Sequence, residues 1–72
     1  MKASEIRAMS DEEILRRLEE AHHELMNLRF QASFGQLKDT NRPRALRKDI
    51  ARMRTILRER ELAAWEAEEE AQ

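Results

Sequence analysis

Cysteine and tyrosine are absent from the 72 residues of this chain, and glycine and proline occur once each, as Gly35 and Pro43. Without cysteine there is neither a disulfide framework nor a thiolate metal site to reinforce a small domain. With a single glycine there is no Gly-rich loop to cradle a phosphate. No stretch approaches the roughly 18 apolar residues that span a bilayer, and the opening Met1 to Arg7 lacks the apolar run of a signal peptide, so the cytoplasm is the expected compartment. What remains is 40% charged and 40% hydrophobic, the Ala, Glu, Leu and Arg mixture of long helices. An all-α fold is expected, as one domain whose core must be thin.

The formal net charge of -1 hides a strong segregation. Between Asn41 and Arg60 eight basic residues (Arg42, Arg44, Arg47, Lys48, Arg52, Arg54, Arg58 and Arg60) face only Asp49 and Glu59. From Glu61 to Gln72 there are five glutamates and no basic residue. Local clustering of this kind, and not the average, governs electrostatic partners.

Ser10-Asp11-Glu12-Glu13 reads as a capping box, with the Ser hydroxyl accepting the Glu13 amide and the Glu13 carboxylate reaching back to the Ser10 amide. The helix that starts there carries Ile14, Leu18, Ala21, Leu25, Leu28 and Ala32 at alternating gaps of four and three, a heptad seam. Gly35 follows the last seam residue and suits a left-handed C-terminal stop. Thr40 or Asn41 can cap a second helix, where Pro43 is tolerated in the first turn. Leu46, Ile50, Met53 and Leu57 then repeat the seam spacing, and Ile56 widens the stripe. The reading is an antiparallel two-helix hairpin over residues 1–64, with helices at about 10–34 and 42–62 and a turn at about 35–41. A short N-terminal helix presenting Ile6 and Met9 is expected before Ser10. Residues 65–72 are expected to fray as an acidic tail without a seam. Leu15, Met26, Phe30 and Phe34 fall off the seam, and a thin hairpin would gain from other molecules covering them.

Catalytic chemistry finds no foothold. His22-His23-Glu24 begins like a zinc-binding HExxH helix, but Asn27 stands where the second histidine is needed. Adjacent helical histidines point about 100° apart and cannot share one metal. Ser4, Ser10 and Ser33 have no His and Asp partners at a readable spacing. No metal, cofactor or enzymatic activity is expected.

The basic block is organised. Relative to Leu46, Arg54, Arg47 and Arg58 lie at about 80°, 100° and 120° on the helical wheel, and Arg44, Lys48 and Arg52 at about 160°, 200° and 240°. The face away from the seam is therefore basic and mostly arginine, which suits bidentate phosphate contacts. Pairing with the glutamates of the first helix and the tail, giving a merely solvated surface, accounts for the same residues about as well.

Two stretches carry a family resemblance. Glu24-Leu25-Met26-Asn27-Leu28-Arg29-Phe30-Gln31, continuing through Gly35-Gln36-Leu37, and Arg47-Lys48-Asp49-Ile50-Ala51-Arg52 with Thr55 closely resemble the bacterial form of ribosomal large-subunit protein twenty-nine. The likeness covers about residues 1–60. It implies a helical hairpin that is a structural constituent of the large ribosomal subunit, contacting 23S ribosomal RNA near the polypeptide exit. It also implies a neighbour, ribosomal large-subunit protein twenty-three, with trigger factor and the signal recognition particle docking nearby. On this resemblance Arg42, Arg44, Arg47, Lys48, Arg52, Arg54 and Arg58 are expected to lie on RNA phosphates, and Arg29, Gln31, Gln36 and Lys38 to reach RNA near the turn. Phe30 and Phe34 are expected in the core or against protein more than stacked on bases, and Trp65 as an incidental contact. The acidic extension after Arg60 departs from the often basic or short family ending. Two rival readings stay open: a coiled-coil adaptor that ignores RNA, and a small DNA-binding helical protein. The second is disfavoured because the connection suits an antiparallel return better than a recognition helix.

Overall fold

The computed structural model describes residues 1–71. Three helices follow one another: α1 (Ala3–Arg7), α2 (Asp11–Ser33) and α3 (Asn41–Ala71). Helices α2 and α3 run against each other as the hairpin, and α1 folds back onto α3.

The start of α2 is set by Ser10, whose Oγ accepts the Glu13 amide at 3.2 Å. Only this half of the capping box forms. The Glu13 carboxylate turns instead toward Arg16 (3.9 Å) and Arg17 (3.6 Å), where a guanidinium attracts it more than one amide does. The helix ends in a Schellman motif: Gly35 N–H donates to Ala32 O at 3.0 Å and Gln36 N–H to Gln31 O at 2.9 Å. Gly35 takes φ +69°, the left-handed value that motif needs. At the start of α3 the Asp39 Oδ1 accepts the Asn41 amide at 2.9 Å, and Pro43 is the third helical residue, where an N–H would have no helical partner.

The core comprises Ile6, Ile14, Ala21, Leu25, Leu46, Ile50, Met53 and Ile56. Leu18, Leu28 and Leu57 are half-buried against it, and Ala32 is exposed because α2 is ending there. Ile56, and not Leu57, is the buried member of the last turn of the seam. The reason is α1, which turns the packing face of α3 toward its own side. Ile6 is fully buried, and Met9 packs on the same cluster. Polar contacts fasten this segment to α3: the Met1 ammonium to Asp49 (3.2 Å), Arg52 to the Met1 carbonyl (3.2 Å), and Arg60 to the carbonyls of Arg7 (3.2 Å) and Met9 (2.9 Å).

Helix α3 continues to Ala71, past the bound near residue 62 that the seam alone suggests. Alanine and glutamate are strong helix formers, so the rod extends without tertiary support. Asp11 pairs with Arg60, so the first turn of α2 ends level with that arginine, and every described residue from Glu61 onward is exposed. Gln72 lies outside the described residues. The molecule measures 57 × 20 × 16 Å with a radius of gyration of 15.8 Å. A compact domain of this length would have about 11 Å, so the shape exposes a long lateral surface.

Candidate RNA-binding surface

The two long sides of the hairpin differ in charge pairing. On the side that carries α1, acidic residues of both helices meet the cations. Arg42 makes a two-pronged bond to Glu24, Nε to Oε1 at 2.8 Å and Nη2 to Oε2 at 2.9 Å. These hydrogen bonds, with the attraction between the charges, hold the Glu24 carboxyl below its ordinary acidity range and push Arg42 upward. Asp49 lies 3.5 Å from Arg52, and Glu59 lies 3.7 Å from Arg7. This side is close to neutral.

The other side is not. A groove runs along it between α2 and α3, lined near the turn by Leu28, Arg29, Leu37, Pro43, Arg44 and Arg47. It continues toward the middle of the hairpin past His22, Leu25, Met26, Ile50 and Arg54, with Arg29 and Arg47 shared by both stretches. Among the described residues Arg29, Arg44 and Arg47 have no carboxylate within ion-pair distance and no hydrogen-bond partner, whereas each of the other eight arginines has one or the other. Arg54 donates to His22 Nε2 at 2.8 Å. A guanidinium has no lone pair to offer, so His22 is the acceptor, and the contact leaves the arginine's charge uncompensated.

The residues singled out from the sequence thus fall into separate places. Arg29, Arg44, Arg47 and Arg54 converge on the groove. Arg42 and Arg52 sit on the neutral side, engaged with Glu24 and with Asp49 and Met1. Lys48 is exposed on the outer face of α3, and Arg58, also exposed, lies 3.7 Å from Glu61 in a solvated pair. Gln31 contributes its carbonyl to the helix stop, and Gln36 and Lys38 are exposed in the connection. Phe30 and Phe34 are 64% exposed and meet edge to face with ring centroids 4.9 Å apart, so the expected core role is corrected. They extend an apolar stripe of α2 that begins at Leu15 and Met26. The sequence reading missed Thr40 and Asn41 as groove residues, and missed the Glu24–Arg42 pair. An antiparallel register counted outward from Gly35 places those two residues in neighbouring turns and is the signal that finds the pair.

No three His, Asp or Glu side chains among the described residues cluster closely enough to hold a metal, and no helix is long and apolar enough to cross a membrane. Fold and surface together define a small all-helical protein, a hairpin with one long side carrying arginines that have no acidic partner. A sequence profile of the family described as Ribosomal L29 protein matches residues 4–60. Proteins named large ribosomal subunit protein uL29 are similar over most of their length. One from Streptomyces avermitilis is 61% identical over 85% of this chain and 82% of its own. Another, from Geobacillus stearothermophilus, is 58% identical over 89% and 97%, and one from Roseiflexus sp. is 55% identical over 86% and 87%. The chain belongs to the ribosomal L29 family, whose members are structural components of the ribosome and not enzymes.

Proposed function

We propose that this chain is a structural constituent of the cytoplasmic large ribosomal subunit that binds 23S ribosomal RNA through the unpaired arginine side of the hairpin, near the polypeptide exit. The observation that carries the RNA reading is the one-sided charge. Arg29, Arg44 and Arg47 lack acidic partners while the opposite side is neutralised. A merely solvated basic surface would not sort its ion pairs by side, whereas phosphates supply the missing anions and release counterions on binding. The exit-side location and the neighbour, ribosomal large-subunit protein twenty-three, follow from the family resemblance. The exposed stripe of Leu15, Met26, Phe30 and Phe34 gives a second face suited to a protein neighbour, and trigger factor or the signal recognition particle would dock in that vicinity.

The test is reconstitution with large subunits depleted of this protein. The tagged chain should join at one copy per subunit, and ultraviolet cross-links from the groove residues should map to 23S RNA. An adaptor that ignores RNA would instead cross-link to protein alone and keep its association after ribonuclease treatment.

A further inference from the structure

The turn end of the groove has a feature that phosphate contacts do not require, an apolar floor beneath the arginines. Leu28 and Leu37 are half-buried there, Pro43 is buried, and Ala32 leaves space above them. The cavity, about 470 Å3, is in the range that small-molecule ligands occupy. Arg29, Arg44 and Arg47 stand around it without acidic partners, and Thr40 and Asn41 add polar side chains at the rim. An A-form helix keeps its bases stacked inside and offers a protein mainly phosphates and 2′-hydroxyls. A rigid duplex would span the arginines and leave the floor wet.

We propose that this groove takes one unpaired nucleotide of the bound RNA, its base laid on Leu28, Leu37 and Pro43 and its flanking phosphates on Arg29, Arg44 and Arg47. The proposal rests on the RNA reading above and adds to it the ligand's form. An aliphatic floor makes van der Waals contact with any base face, and a guanidinium plane can cover the other face, so the site tolerates any base. Extruding a base from a duplex costs its stacking and pairing, and the cost is least where the nucleotide is already unpaired, which selects bulges and loops. The Phe30–Phe34 pair lies farther round α2, outside the groove lining, and takes no part.

Two RNA hairpins that differ only in the nucleotide opposite a single 2-aminopurine, absent in one so that the 2-aminopurine is bulged and a pairing uridine in the other, test this by anisotropy and by the emission of the 2-aminopurine, using the full chain. The bulged hairpin should bind about tenfold tighter or more, and its emission should change on binding. Ala32→Phe fills the groove from an exposed helix position without altering charge. It should bring the ratio of the two affinities to about one, and Thr40→Phe should repeat the effect from the other rim. Equal affinity of the wild-type chain for the two hairpins overturns the nucleotide site while leaving RNA binding intact. A preference that survives both filled variants places the base elsewhere and overturns it too. Binding of neither hairpin at low salt removes the RNA reading itself, and the site with it.

Discussion

Gly35 and Glu24 show how single residues set the geometry. The space around a Cβ at Gly35 is open, with nothing within 4 Å, so the whole penalty of Gly35→Ala is the left-handed backbone, about 1–2 kcal/mol. For a domain of this size that lowers the melting temperature by roughly 4–8 °C per kcal/mol, and Gly35→Asn should lose less. An unchanged melting curve for the alanine variant would mean the Schellman stop is dispensable. Glu24 makes a pH-dependent contribution. Its carboxyl titrates lower in the folded chain than in the unfolded one because Arg42 hydrogen-bonds to it. The stabilisation is therefore complete above the ordinary glutamate range and fades as the pH falls through that range to the lowered folded value. Urea melts of wild type and Glu24→Gln should differ at neutral pH and converge in acid. A gap that stays constant with pH would show that the pair contributes nothing through charge. His22 is the residue that composition disguised. It reads as a failed metal motif, and its role as acceptor for Arg54 depends on a neighbour 32 positions away.

At the scale of elements, the seams of α2 and α3, the Gly35 stop and the Ser10 cap were legible in the sequence because each rests on spacing within one helix or on one turn. The burial of Ile56 over Leu57 was not, since it depends on where a five-residue helix docks. The same holds for Arg52 and Arg60, which read as phosphate ligands or plain charge and in the fold hold the backbone of residues 1–9. Ile6→Ala should accordingly cost about 2–5 kcal/mol, as for other buried aliphatic truncations, and should raise amide exchange in α1 above that in α2. Equal protection of the two helices in that variant would place the anchor elsewhere. The end of α3 is the opposite case. Its residues Glu61 to Ala71 are helical yet exposed, so their amides should exchange at fraying rates, and removing residues 64–72 should leave the melting curve and subunit association nearly unchanged. Loss of association on that deletion would assign the acidic extension an anchoring role.

For the whole molecule, the sequence showed that the second helix is basic but not which of its cations are free, because ion pairs across a hairpin depend on its register. Of the eleven arginines, Arg7, Arg17, Arg42, Arg52 and Arg60 have partners on the side of α1, Arg29, Arg44, Arg47 and Arg54 are left open along the groove, and Arg16 and Arg58 form solvated pairs within their own helices. That division is the central claim, and two matched variants test it most directly. One carries Arg44→Gln, Arg47→Gln and Arg54→Gln on the open side; the other carries Arg17→Gln, Arg42→Gln and Arg52→Gln on the paired side. With circular dichroism confirming that both remain helical, affinity for 23S RNA fragments is measured across a salt series. Removing one arginine from a phosphate reduces the slope of log affinity against log salt by about one unit or less. The open-side variant should drop by two to about three units of slope together with most of its low-salt affinity, and the paired-side variant should stay near wild type. Equal losses in the two variants, or an open-side variant that keeps its slope, would contradict the assignment of the groove side to RNA.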